Sequence, residues 1–233
     1  MKKRYAFLVL FLLVISVSFG QNRYQVGTLP TLNISKSLNN NWQLNFKSEF
    51  RQLFKEGITN SYQNSGYDYV HTDAAFVVSK KVGLNNKLAG GFLLRFTNKD
   101  VIKRSIQQFT IINSLSNYRL GHRFASDQTF ESDQDMQLRL RYRLTFDLPL
   151  NGQTVDAQEW YFKISNEYLN IFEGKDYDLE LRLSPTFGYV FTDNNKLELG
   201  LEYRFNDFVN NNNNNNNNTR NRYWLTIGWY VSL

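Results

Sequence analysis

From Met136 to Leu148 the chain alternates without a break. Met136, Leu138, Leu140, Tyr142, Leu144, Phe146 and Leu148 are apolar or aromatic, while Gln137, Arg139, Arg141, Arg143, Thr145 and Asp147 between them are polar or charged. A period of two sends successive side chains to opposite faces of a strand. Wound as a helix, the same residues would spread arginine around the whole circumference, so the helical reading fails. Length constrains as much as pattern. Strands of soluble domains average about five or six residues, whereas a tilted strand crossing a bilayer needs about nine to eleven. This stretch is long enough to span, with its apolar side toward lipid.

The pattern recurs along the chain. Candidate strands run over Tyr24–Leu38, Trp42–Phe54, Tyr67–Lys80, Leu88–Phe96, Ile106–Leu115, Tyr118–Phe130, Trp160–Phe172, Leu179–Phe191, Leu197–Phe205 and Tyr223–Leu233. Ile106–Leu115 and Tyr118–Phe130 alternate least clearly, carrying Gln and Ser on both faces. Asn39–Asn41, Leu84–Asn86 and Asp193–Asn195 read as tight turns, and the uninterrupted run Asn210–Asn218 as an exposed low-complexity loop. Short connections without helical crossovers imply antiparallel neighbours. A sheet in hydrocarbon must close on itself, because an open edge leaves backbone groups unsatisfied. The expected fold is therefore an all-β, antiparallel transmembrane β-barrel of roughly ten to twelve strands.

The termini and composition agree. Met1–Gly20 has a basic start, an apolar core and small residues before Gln21, which reads as a cleaved signal peptide ahead of one barrel domain over 21–233. Formal charge is +6, half of it in Lys2, Lys3 and Arg4, so the basic balance is largely an export feature. No basic cluster marks a nucleic-acid footprint. With no cysteine, disulfides and a lipid-modified cysteine are excluded. Beyond the first 20 residues no apolar run suits a helical span. A mean hydropathy of −0.49 fits a barrel whose inward positions are polar, and 16% aromatic content fits interfacial girdles.

Strand number meets a conflict. Single-chain bacterial barrels have even strand numbers and short periplasmic turns. With Leu233 on the periplasmic side, the tight turns also fall there and Tyr24–Leu38 starts outside. Ten strands, twelve, or an odd barrel closed by a parallel pair all remain open. The expectation is that Trp42–Leu233 forms the main wall and that Tyr24–Leu38 pairs with Trp42–Phe54, irregular near Pro30.

Two stretches carry resemblances. Thr226–Leu233 (Thr-Ile-Gly-Trp-Tyr-Val-Ser-Leu) resembles the C-terminal assembly signal of outer-membrane barrels, with Leu233 where an aromatic is more usual. It implies outer-membrane lipid as surroundings and the barrel-assembly machinery as a partner. The succession of signal peptide, Trp42-led strand, His122-Arg123-Phe124 and Leu138-Arg139-Leu140-Arg141-Tyr142-Arg143 resembles the Gram-negative outer-membrane β-barrel family catalogued as domain of unknown function 2490. That likeness implies fold and location and transfers no activity.

The expected lumen wall is charged: Arg119, Arg123, Asp127, Arg139, Arg141, Arg143, Asp147, Lys163, Glu167, Glu180, Arg182, Glu198, Glu202 and Arg204, with Tyr69, His71 and Asp73 on an earlier strand. If 131–135 closes a hairpin, Asp127 lies near Arg139 and Arg119 near Asp147; on the other side, Glu167 falls near Arg139 or Arg141. One reading is a lumen braced by cross-strand ion pairs. Another is a positively biased constriction that selects anions, making a narrow channel or solute-binding pore. A lipid hydrolase would need a close Ser–His pair. Asp73, not serine, follows His71 on its face, and Ser126 lies four residues from His122, roughly 13 Å along a strand. The expectation is thus non-enzymatic, with no metal or other cofactor, since Tyr69, His71 and Asp73 alone make no metal site. The remaining rival is a soluble exported β-sandwich or lipocalin-like binder, in which the apolar faces would turn inward.

Overall fold

The computed structural model describes residues 23–59, 61–132, 134–207, 209 and 219–233. The expected signal peptide and asparagine loop lie outside these residues. Eleven strands form one sheet: β1 (Arg23–Ser37), β2 (Trp42–Ile58), β3 (Gln63–Lys81), β4 (Asn86–Phe96), β5 (Val101–Ser114), β6 (Arg119–Phe130), β7 (Gln137–Pro149), β8 (Trp160–Glu173), β9 (Asp176–Thr192), β10 (Asn195–Asn206) and β11 (Arg220–Ser232). The sheet closes in the order β1-β11-β10-β9-β8-β7-β6-β5-β4-β3-β2. Sequential neighbours pair antiparallel. β1 and β11 close the ring in parallel, from Arg23 opposite Arg220 to Ser35 opposite Ser232.

This closure is the odd barrel among the three alternatives, and it corrects the expectation of antiparallel pairing throughout. β1 is 15 residues long and completes a strand, so the ring has neither ten nor twelve strands. Its register against β2 shifts between Val26 and Gly27, close to the irregularity expected at Pro30. The Asn39–Asn41 turn forms with Asn40 and Asn41 at positive φ, 59° and 64°, a conformation that asparagine tolerates better than most residues. β5 starts at Val101, before the expected Ile106, because Lys103 and Ser105 obscure its apolar beat.

The faces divide by polarity, inside out relative to a soluble domain. Leu201, Leu199 and Leu140 stand on the outer surface at 61%, 53% and 43% exposure, whereas Asp127 and Glu167 are buried at 0% and 1%. A single closed sheet around charged groups is neither the two-sheet sandwich nor the apolar-centred binder. Trp42, Trp160 and Trp229, all exposed, sit near the rim that carries the 38–41 turn and Leu233. Inward bulk is accommodated at chosen points. Gly188 lies opposite Tyr161, and a Cβ there would come within 2.1 Å of the tyrosine ring, so glycine is what lets the ring lie flat across β9.

Candidate functional site

The charged interior is built by the alternation itself. In β7 the odd positions point inward, which stacks Arg139, Arg141 and Arg143 on one wall. The short β6–β7 connection fixes the register at Asp127 opposite Arg139 and Arg119 opposite Asp147, as the hairpin reasoning expects. Arg119 Nη2 lies 2.7 Å from Asp147 near one rim. Asp127 receives Arg139 at 3.1 Å and Arg141 at 2.7 Å.

Glu167 is the hub. Arg143 approaches it at 2.8 Å, Arg123 and Arg182 at 3.3 Å and Arg141 at 3.8 Å. Of the two expected partners Arg141 reaches Glu167 and Arg139 does not, because β8 is in register with Arg143 opposite Glu167 and Ile171 opposite Arg139. From Arg182 the pairing continues to Glu180, which lies 3.7 Å from Arg222 of β11. Arg204 holds Glu202 at 2.5 Å, and Ser184 donates to the same carboxylate at 3.3 Å. Toward the Trp42 rim, Glu198 accepts from Lys163 and, at 2.6 Å, from Tyr161 Oη. Desolvated charges persist only when paired and hydrogen-bonded, and each of these carboxylates meets that condition.

The histidine group divides. Asp73 takes Arg95 through two bonds of 2.7 and 2.8 Å, and His71 Nε2 is 3.8 Å from the same carboxylate. Tyr69 is not with them. A register shift between Arg51 and Gln52 sets Arg51 opposite His71 but Gln52 opposite Tyr69, turning Tyr69 to the outer face, where its hydroxyl donates to Phe96 O at 2.9 Å and lies 2.9 Å from Thr72 Oγ1. Its assignment to the lumen is therefore corrected: a bulge breaks the two-residue period. His122 is also outside, with Nδ1 3.0 Å from Tyr142 Oη.

The strand walls also bring in residues beyond the expected set. Arg51 and Arg204 lie over the two-per-cent-exposed Trp224 ring at 5.1 and 5.9 Å, and Gly27 leaves room for that ring, since a Cβ would fall 2.6 Å from it. Arg104, buried at 7% exposure, donates Nε to Thr129 at 2.9 Å and pairs with no carboxylate among the described residues. Trp224 sits on the polar beat of its strand, which is the signal for an inward aromatic; Arg104 lies before the expected start of β5, where no signal marks it.

These side chains enclose a cavity of about 890 Å³. Its lining extends from Asn33 and Gln43 near one rim to Asp176 and Asp207 near the other, and lysines and arginines outnumber carboxylates along it. Arg123, Arg139, Arg141, Arg143, Lys163, Asp73, Glu180, Arg182, Glu198, Glu202 and Arg204 line the space, while Asp127 and Glu167 lie behind the arginines. Among the described residues, no group of three histidine or carboxylate side chains is placed to hold a metal.

Fold and site together define a closed β-barrel with an ion-paired interior. The model of a family described as a protein of unknown function (DUF2490) matches residues 26–217, and the chain belongs to that family. No curated protein and no solved structure matches it.

Proposed function

We propose that this chain is an outer-membrane barrel whose charged lumen forms a narrow, anion-favouring passage for small solutes. The observation that carries the reading is the cavity lined from rim to rim with cations in excess. Rings of basic side chains favour anions because the local potential replaces part of the ion's lost hydration. The exposed apolar outer face, bordered by Trp42, Trp160 and Trp229, supports lipid surroundings, where aromatic girdles mark the interfaces. On this reading the 1–20 segment directs export, and Thr226–Leu233 engages the barrel-assembly machinery. The role is non-enzymatic: His122 is engaged by Tyr142 on the outer face, and His71 sits beside the Arg95–Asp73 pair.

Purified barrel in a planar bilayer under a potassium chloride gradient tests the passage. The expected result is small unitary steps with a reversal potential on the chloride side. A cation-selective or silent protein that is heat-modifiable on gels overturns the pore while leaving the barrel. Recovery in the soluble fraction without detergent overturns the membrane location.

A further inference from the structure

The outer face is not uniformly apolar. In β5, Ser105 and Gln107 alternate with the buried Arg104 and Ile106; in β6, Ser126 and Gln128 alternate with the buried Ala125, Asp127 and Thr129. All four polar side chains therefore point outward. Register places Ser105 opposite Gln128 and Gln107 opposite Ser126, so they form one contiguous patch. On either side lie Gly90, beside Gln107, and Leu140, beside Ser126. Ser126 is four residues from Phe130 at the rim, roughly 10 Å below it for a tilted strand. In an apolar band about 25 Å tall, that is well inside hydrocarbon.

Within one molecule the patch is almost satisfied. Gln107 and Gln128 exchange amide hydrogen bonds of 3.2 Å in both directions; Gln128 Nε2 also donates to Ser126 at 3.0 Å, and Ser105 donates to Gln128 Oε1. An amide has two donors and two acceptor positions, and a hydroxyl has one donor and two acceptor positions. Gln107 Nε2 spends its second hydrogen on Ser105 at 3.4 Å, while Ser126 only accepts, so its hydroxyl hydrogen is the one donor left over. Gln107 Oε1 on the adjacent strand takes one of the two bonds it can accept and, like each serine oxygen, keeps an acceptor position in a medium that offers no water.

We propose that this patch is the contact between two copies of the barrel in the membrane. A two-fold axis along the membrane normal brings each Ser126 hydroxyl to the Gln107 carbonyl of the other copy, which gives the leftover donor an acceptor without charge. Such an isologous contact is self-complementary by construction. Small residues favour it, because Gly90, Ser105 and Ser126 let the two walls approach closely, as small and hydrogen-bonding residues do between membrane helices. The exposed rings of Phe92 and Phe124 border this shallow surface and fit against the neighbour.

The inference rests on the membrane reading, and the test separates the two. The chain has no cysteine, so Phe109→Cys and Phe124→Cys, paired beside the patch and leaving Gln107 and Ser126 in place, and, on the far wall, Leu201→Cys each supply a sole thiol. Each variant is checked for heat-modifiable migration and then oxidised in membranes of the expressing cell. The expected result is a band of twice the monomer mass for Phe109→Cys and Phe124→Cys and none for Leu201→Cys. The double variant Gln107→Leu with Gln128→Leu should lose the dimer on native gels while keeping heat-modifiable migration. A heat-modifiable, membrane-extracted barrel that gives no dimer at either thiol overturns the contact alone. An adduct of any other mass overturns the second copy as occupant. Recovery in the soluble fraction overturns the membrane reading and the contact with it.

Discussion

Replacing Glu167 by glutamine tests whether the interior is held by its carboxylates. Four arginines approach this side chain, which is 1% exposed. Arg141 also has Asp127, and Arg182 also has Glu180, but Arg123 and Arg143 have no second carboxylate within ion-pair distance among the described residues. Glu167→Gln therefore strands two guanidinium groups. Removing one partner of a buried pair destabilises by about 3–5 kcal/mol. Arg123 and Arg143 face the cavity and keep side-chain exposures of 28% and 29%, so hydration offsets part of the loss and about 3 kcal/mol is expected. Arg141→Leu is the contrast. Asp127 keeps Arg139 and Glu167 keeps three arginines, so the effect should be about 1 kcal/mol, as for pairs that remain substituted or solvated. Urea titrations of barrel folded in lipid vesicles, followed by gel migration and tryptophan fluorescence, give both values. If Glu167→Gln proved no more damaging than Arg141→Leu, the hub would not hold the barrel together.

Other substitutions probe the walls. Leu201→Arg places a charge on the outer face and should cost about 2–4 kcal/mol of folding free energy in bilayers, with a much smaller effect in water-rich detergent; equal effects would count against lipid contact. Gly188→Ala should destabilise by about 1–3 kcal/mol through overpacking against Tyr161. Tyr161→Ala in the same chain should recover part of that loss, a coupling readable in a double-mutant cycle; strict additivity would show that the ring and the glycine do not meet. Tags inserted after Gln21 and after Leu233 should label from opposite sides of the membrane, since β1 and β11 run parallel. Labelling of both on intact cells would contradict the odd strand count.

Alternation made most of this architecture readable in advance. It fixed which side chains of β7 to β11 face inward, and the short β6–β7 connection fixed the Asp127–Arg139 and Arg119–Asp147 pairs. It could not fix Glu167 against β7, because the long connection 150–159 leaves strands free to slide by two residues without exchanging faces. Tyr69 escapes the alternation because a bulge inserts a residue that a period of two does not register. Arg104 carries no signal because polar groups on both faces of β5 hide the strand's start, and that same outward polarity is the patch it shares with β6. Which strands meet where the ring closes was invisible for a simpler reason: face periodicity says nothing about partners almost 200 residues apart.

The parallel closure gives the ring one joint unlike the rest. Ion pairs run without a gap from Asp127 through Arg141, Glu167, Arg182 and Glu180 to Arg222, tying β6 to β11 like links in a chain, and they stop there. The inward residues of β1 from Gln25 to Asn33 are uncharged, and its ladder to β11 is of the kind that is slightly weaker per residue. What bridges the joint is Trp224, lying over Gly27 and capped by Arg51 of β2, more a rivet than a weld. This bond also joins the two ends of the described wall, almost 200 residues apart, and pairing at that separation is intrinsically slow. Until it does, the molecule is a curved ribbon with two raw edges, each able to pair with any strand that meets it. The period before closure, rather than the finished ring, is when this chain is most exposed to joining the wrong neighbour.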